Sequence, residues 1–409
     1  MIKKYCRMCK SMNLKTFLDL GFTPLADGFL NKEQLNEPEV HYPLRVQICL
    51  DCGQAQLDFV VNPNELYRKN YPYLASVTKT GKEHFHSMAT SICNKFKLKK
   101  GSFVVDVGSN IGVLLEGFKI HGMDVLGIDP AANIAEMANK RGIETWAEYF
   151  NSSVVIKVVG KKGKPAVITG TNVFAHIDNI DEVVQTVDKL LDDKGIFVIE
   201  APYFADLIQK LEYDTIYHEH LSYLSVKPLV NFFKKFNMEV FDVERYPIHG
   251  GTIRVFVCRK GDYKVSNNVG KFLGLEKKEK VHSIEHLKKF EEDVRKLSQD
   301  LVELLTDLRK KGKRIIGVSA PAKGNTLLNY CRIGPEILEY LTEKIEIKVG
   351  MYSPGMHIPV VDDNKIFKDV PDYALILAWN FADEIMSNLS EFSKKGGKFI
   401  IPIPKPRIE

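Results

Sequence analysis

The chain has 409 residues, 44% hydrophobic and 27% charged, the make-up of a globular protein long enough for two or three domains. Its net charge of +5 is spread over 57 basic and 52 acidic residues rather than gathered in blocks, which gives no electrostatic case for binding nucleic acid or a membrane surface. No apolar run approaches the about 18–20 residues of a spanning helix and no signal-peptide core opens the chain. A cytoplasmic location is therefore expected.

Seven cysteines, four of them in two C-x-x-C pairs, suit that reducing compartment better than a disulfide scaffold. Cys6 and Cys9 form the first pair; Cys49 and Cys52, followed by Gly53, form the second. Together they offer four thiolates for tetrahedral zinc, and a four-cysteine site leaves no position open for substrate, so the metal is structural. The bland alternative is two unrelated reduced pairs. The 39 residues between the pairs exceed the about 15–20 of a compact ribbon, so 21–45 is an elaboration of the module. Cys93, Cys258 and Cys331 stand alone in apolar contexts and read as core.

Residues 67–78 carry Tyr67, Tyr71, Tyr73, Ser76 and Thr78 ahead of a helix from Thr80 to Phe96. This segment either caps a cofactor pocket through Tyr73 and Ser76 or packs two domains together as an aromatic linker.

The stretch 103–130 is the organising unit. A buried-strand run (103–107) leads to a turn with Gly108 and Gly112, a helical segment, and a second strand (125–128) ending on Asp129. Glycines there let backbone amides approach a ligand, and the closing acid stands where a ribose offers two hydroxyls. The turn reads Asp106-x-Gly108-Ser109-Asn110-Ile111-Gly112, without the second glycine of the dinucleotide fingerprint. Asp106 would repel a pyrophosphate but pair with an amino group. That favours S-adenosylmethionine over a nicotinamide dinucleotide or a turn with no ligand.

The α/β alternation continues with a helix at 133–141, an undecided element at 154–159, a strand at 166–170, a helix at 181–191 and a strand at 195–200. Asn172, His176 and Asp178 follow one strand end, and Glu200 closes another, the side on which ligands bind in an open sheet. Residues 213–224 hold two histidines, two acids and three tyrosines, and proton abstraction needs a base near neutral pKa with neighbours that orient it. Metal ligation by His218 and His220, two apart on one face of a strand, is the rival use. Strands at 239–243 and 252–258 flank His249-Gly250-Gly251, and Arg254 either reaches an anion or lies at the surface.

A polar, lysine-rich stretch at 261–280 marks a boundary, and 284–311 is a long amphipathic helix with a core-facing stripe. A second strand–turn–helix unit follows, with Lys323-Gly324-Asn325-Thr326 at a helix N-terminus suited to a diphosphate. Strands at 345–349, 373–377 and 398–401 complete this unit, and the loop 353–359, with His357, lies at a strand end.

Taken in order, these motifs resemble the sugar C-methyltransferases that act on nucleoside-diphosphate-linked deoxysugars. The likeness rests on the cysteine knuckles, the D-x-G-S-N-x-G turn, Asn172-Val173-Phe174-Ala175-His176, Tyr217-His218-Glu219-His220-Leu221-Ser222-Tyr223, His249-Gly250-Gly251 and Lys323-Gly324-Asn325-Thr326. Val318-Ser319-Ala320-Pro321-Ala322 stands where members commonly carry Gly-Ala-Ser-Thr.

The resemblance implies an α/β protein with a Rossmann-like methyltransferase core (63–260), an N-terminal zinc-binding module (1–62) and a C-terminal Rossmann-like α/β domain (261–409). It implies methylation at C3 of a 4-keto sugar, for which a dTDP-linked sugar is expected, with His220 as base, Tyr217 and Glu219 orienting it or holding the oxyanion, and His176 accessory. Candidate cofactor contacts are Tyr73, Ser76, Asp106, Gly108, Ser109, Asn110, Gly112, Asp129 and Asn172. Candidate substrate contacts are Tyr217, His218, Tyr223, His249, Gly250 and Arg254 in the core, and Lys323, Gly324, Asn325, Thr326 and His357 beyond it. A monomer is expected. A nicotinamide-dependent epimerase or reductase would use the same sheet, but neither glycine turn has the dinucleotide spacing. A non-catalytic zinc-knuckle binding protein would leave the histidine cluster unexplained.

Overall fold

A computed structural model describes residues 1–67 and 79–409, so Tyr73 and Ser76 lie outside the described residues. The first strands are antiparallel: Leu14–Thr23 (β1), Tyr42–Cys49 (β2) and Ala55–Leu57 (β3). A parallel series follows, Phe103–Val107 (β4), Asp124–Ile128 (β5), Thr145–Trp146 (β6), Val167–Thr171 (β7) and Ile196–Pro202 (β8). Ser222–Tyr223 (β9) departs from this series and pairs antiparallel with β3, joining the N-terminal sheet. Met238–Tyr246 (β10) and Thr252–Arg259 (β11) form a hairpin that closes the central sheet, whose order is β10-β11-β8-β7-β4-β5-β6.

Every residue of β4 is buried, because helices cover the sheet on both faces. The helices Lys79–Phe96 and Val113–Ile120 supply one such cover through Phe85, Met88, Ile92, Leu114 and Phe118. The strand order reverses between β4 and β7. A crevice therefore opens beyond their carboxyl ends, where the glycine turn and Asn172 lie.

The third sheet is built from Ile315–Val318 (β12), Leu341–Glu343 (β13), Val360–Asp362 (β14), Tyr373–Ile376 (β15), Lys398–Ile401 (β16) and Arg407–Ile408 (β17). Its order, β14-β13-β12-β15-β16-β17, is parallel except for the last strand and has its own reversal between β12 and β15.

Several expectations needed adjustment. The alternation of 345–349 mimics a strand, but the strand lies earlier, at β13, and Glu346–Lys348 is a 3-10 turn. The cause is Lys348, which is buried and needs the Ala320 carbonyl (2.9 Å), while Ile347 faces solvent. The undecided segment near 154–159 is a helix, Ser152–Lys162, capped by Asn151 accepting from the Ser153 amide. The lysine-rich stretch contains a helix, Asn267–Lys278, whose buried Glu276 accepts the amides of Val226 and Lys227 and so caps the neighbouring helix Val226–Lys234.

The long helix Ile284–Lys310 forms as its stripe requires. Its Phe290 lies 6.4 Å from Phe17 of β1, and Phe17 is 6.1 Å from Phe204 beside the central sheet. One apolar cluster thus runs through all three sheets.

Candidate active site

The four knuckle cysteines converge, with all Sγ atoms within 4.8 Å of one another. Cys6–Cys52 and Cys9–Cys49 are 3.6 and 3.5 Å apart. Four sulfurs about 2.3 Å from a tetrahedral zinc would be about 3.8 Å apart, so the donor set fits. Without a cation the four thiols do not ionise together: a hydrogen bond with Cys52 pulls Cys6 down to about 5, while burial and the charge on Cys6 push Cys9 up to about 11. A zinc ion would hold all four as thiolates.

At the carboxyl end of β4, Gly108 and Gly112 adopt φ of +65° and +79°. A Cβ on Gly108 would sit 2.6 Å from Val173, and one on Gly112 would sit 2.7 Å from Ile143. Ser109 and Asn110 are buried between them. Asp129 braces this turn, its two carboxylate oxygens accepting from the Asn110 amide (2.9 Å) and the Ala131 amide (3.0 Å). Each oxygen keeps a lone pair for a ribose hydroxyl. Asp106 lies beneath the turn, where Thr169 donates to it at 2.6 Å and burial pushes it up to about 7.

Beyond β7, Asn172 sits at φ +56° with its amide on the Glu200 carbonyl (2.7 Å). It lines a pocket with His176, Phe204, Thr215, His220, Ser222 and Tyr223. The His176 and His220 rings are 4.9 Å apart, and burial, reinforced by the charge His220 would carry, keeps His176 well below the usual histidine range. His220 Nδ1 is 2.6 Å from the Thr215 carbonyl. A carbonyl only accepts, so Nδ1 carries hydrogen, and in the neutral form of the ring the lone pair is at Nε2. The Tyr217 ring lies 4.0 Å from His220, and Glu219 is buried beside them.

His218 faces elsewhere. It is buried edge-on against Tyr42 of β2, with ring centroids 5.8 Å apart, and burial lowers it to about 4. The two histidines therefore do not share a face, which removes the metal-ligand reading for the pair.

A C-methyltransferase from Streptomyces niveus, NovU, is 34% identical to this chain over 404 residues, 98% of this chain and 96% of that one. The chain belongs to the C-methyltransferase family. Three family models match in succession: a zinc binding domain over 6–67, a methyltransferase domain over 82–243 and a C-methyltransferase C-terminal domain over 247–404. Among solved structures, magnesium protoporphyrin IX methyltransferase from Synechocystis PCC 6803 with bound SAM is 10% identical (TM-score 0.34, 44% of this chain and 79% of that one). The plantazolicin methyltransferase BpumL with SAH is 14% identical (TM-score 0.36, 45% and 86%).

The methyl donor of this C-methyltransferase is S-adenosylmethionine, and the glycine turn with Asp129 offers acceptors that would suit its ribose. A second polar cluster, which sequence patterns do not announce, lies alongside. His84 Nε2 meets Glu200 at 2.5 Å, and Arg254 donates to the same carboxylate at 2.8 Å and to the Tyr246 hydroxyl at 2.9 Å. Arg254 is thus engaged in the core rather than at the surface. His84 shares its amphipathic helix with His86, and nothing local sets it apart.

In the C-terminal unit, Lys323 lies 3.8 Å from Asp214 and 3.9 Å over the Trp379 ring, whose Nε1 donates to Asp214 at 2.6 Å. Gly324 packs on Leu377, where a Cβ would come within 2.9 Å. Asn325 donates to the Ala26 carbonyl (2.7 Å) and Thr326 to the Ile216 carbonyl (3.2 Å), so both side chains tie units together. His357 pairs with Glu39 at 3.0 Å. His249 and Gly250 form a 3-10 turn, and Gly250 has no room for a Cβ, which would lie 2.3 Å from Glu212.

Proposed function

We propose that the enzyme methylates C3 of a nucleoside-diphosphate 4-keto-deoxysugar, with a dTDP-linked sugar expected. The observation that carries this reading is the state of His220. Its Nδ1–H is committed to the Thr215 carbonyl, so Nε2 is the basic nitrogen of the ring, in a pocket shared with neutral His176. A carbonyl acidifies the hydrogen on its neighbouring carbon, and a poised imidazole removes it. S-adenosylmethionine supplies an electrophilic methyl group. Asp129, Gly108, Ser109, Asn110, Gly112, Asp106 and Asn172 hold that donor, the base is His220, and Tyr217 and Glu219 orient it, with His176 accessory.

Substrate contacts are assigned to Tyr217, Tyr223, His249 and Gly250 in the core, and to Lys323 and its neighbours at the reversal of the third sheet. The reading also takes 1–62, 63–260 and 261–409 as three domains, each centred on one sheet. No helix among the described residues is long and apolar enough to cross a membrane. The seven free cysteines support a reducing, cytoplasmic setting. Incubation with a labelled methyl donor and a panel of nucleotide 4-keto sugars tests the reading. Label on carbon next to the ketone is expected, and label on oxygen or nitrogen alone would refute it.

A further inference from the structure

The pocket beside His220 holds polar atoms that its own chain leaves without hydrogen bonds. Among the described residues, the Ser222 hydroxyl, the Tyr223 hydroxyl and Asn172 Oδ1 have no partner, and Ser222 and Tyr223 are at least nine-tenths buried. Buried hydroxyls are nearly always bonded, so unpaired ones on residues that line one pocket point to a polar ligand there.

Tyr223 is the most constrained of the three. It belongs to β9, and its register against Ala55 fixes it to the N-terminal sheet, while its ring packs 6.3 Å from Phe204. Against the neighbouring strand β3 lies Arg7, the residue after the first zinc-knuckle cysteine, which is wholly buried. Arg7 Nη1 donates to the Leu57 carbonyl (2.8 Å), its amide to Gln56 Oε1 (2.8 Å) and its Nε to Asp178 (3.0 Å), two residues past His176. Its Nη2 is buried and unpaired among the described residues. Burial pushes the Tyr223 phenol well above its ordinary value and the Arg7 charge pulls it back. Tyr223 therefore stays an O–H donor, polarised by a cation held in place by the zinc module.

We infer that the Tyr223 hydroxyl, backed by Arg7, donates the hydrogen bond that holds the substrate's ketone oxygen while His220 removes the neighbouring proton. The inference rests on the proposed 4-keto-sugar reading. In the step, the C–H bond beside the ketone breaks and its proton passes to His220 Nε2. The electron pair forms the carbon–carbon double bond as the carbonyl pair moves to oxygen, where the Tyr223 O–H is directed. Tyr223 is then a catalytic residue and Arg7 a positioning residue.

Proton abstraction can be read without methyl transfer. The full-length enzyme, loaded with S-adenosylhomocysteine, is incubated with a nucleotide 4-keto sugar in D2O, and loss of the proton beside the ketone is followed by NMR. Wild type is expected to exchange it. Tyr223→Phe should exchange about 10²–10³-fold more slowly, the loss typical of one oxyanion donor, with unchanged S-adenosylhomocysteine affinity and zinc content. Arg7→Met should slow exchange and Arg7→Lys partly restore it, a difference that loss of packing alone would not produce. If Arg7→Met fails to fold, Tyr223→Phe, which removes only a hydroxyl, decides the matter. Exchange by wild type that persists in Tyr223→Phe overturns this inference alone. Absence of exchange in wild type overturns it together with the ketone reading.

Discussion

His220 and His218, two residues apart, show how little a residue's type says about its task. His220 has a nitrogen committed to a carbonyl and lines a pocket, whereas His218 is packed against Tyr42 and kept neutral by burial. His220→Asn should lower turnover about 10²–10⁴-fold, the usual worth of a general base, while calorimetry shows unchanged S-adenosylhomocysteine affinity. His218 should instead register in stability. Its folded value of about 4 lies below the ordinary 6.5, so between these values the unfolded chain binds a proton that the folded chain does not. Stability is then full above 6.5 and falls as pH drops toward 4, by up to about 3 kcal/mol. Urea titrations across that window should show a shallower fall for His218→Phe than for wild type. His282, likewise lowered to about 4 by burial, keeps part of the slope in both.

Among the elements, the β4–turn–helix unit is the most tightly specified. Its glycines serve two different needs: Gly108 and Gly112 adopt positive φ, whereas Gly127 gives clearance within β5. A Cβ on Gly127 would fall 2.3 Å from the Ser109 hydroxyl and 2.6 Å from that of Thr145, so the cofactor turn would have to move. Gly127→Ala should cost about 1–3 kcal/mol of stability, as overpacking does, and weaken S-adenosylhomocysteine binding in the same calorimetric assay. The β9 strand carries a different consequence. By crossing to the N-terminal sheet it gives that sheet a residue, Tyr223, that lines the pocket beside His220.

For the whole molecule, the long elaboration between the knuckles finds its role. Leu30 exchanges backbone hydrogen bonds with Tyr352, Glu39 accepts from the Gly355 amide, and Asp27 pairs with buried Lys348 at 3.4 Å. Lys348 also donates to the Ala320 carbonyl, at the turn leading to Lys323. The N-terminal module thus grips the third sheet at its reversal point. Removing one partner of a buried pair leaves the other charge uncompensated. Lys348→Ala should therefore lower stability by about 3–5 kcal/mol in chemical denaturation, far beyond the about 0–1 kcal/mol of an exposed pair.

Local patterning sufficed for the cysteine knuckles, the glycine turn closed by Asp129, the alternation of strands and helices, and the identity of the histidine-rich loop. Each depends on residues close in sequence, where spacing and periodicity are themselves the physical constraint. The alternation at 345–349 misled because it reflects one buried lysine rather than a pleated face, and that lysine's acceptors come from distant parts of the chain. The His84–Glu200–Arg254 cluster, the setting of Arg7 behind Tyr223 and the opposed directions of His218 and His220 were decided only by the tertiary structure. A buried charge or an imidazole takes its role from partners that folding brings within about 3 Å, and no window of neighbouring residues contains them.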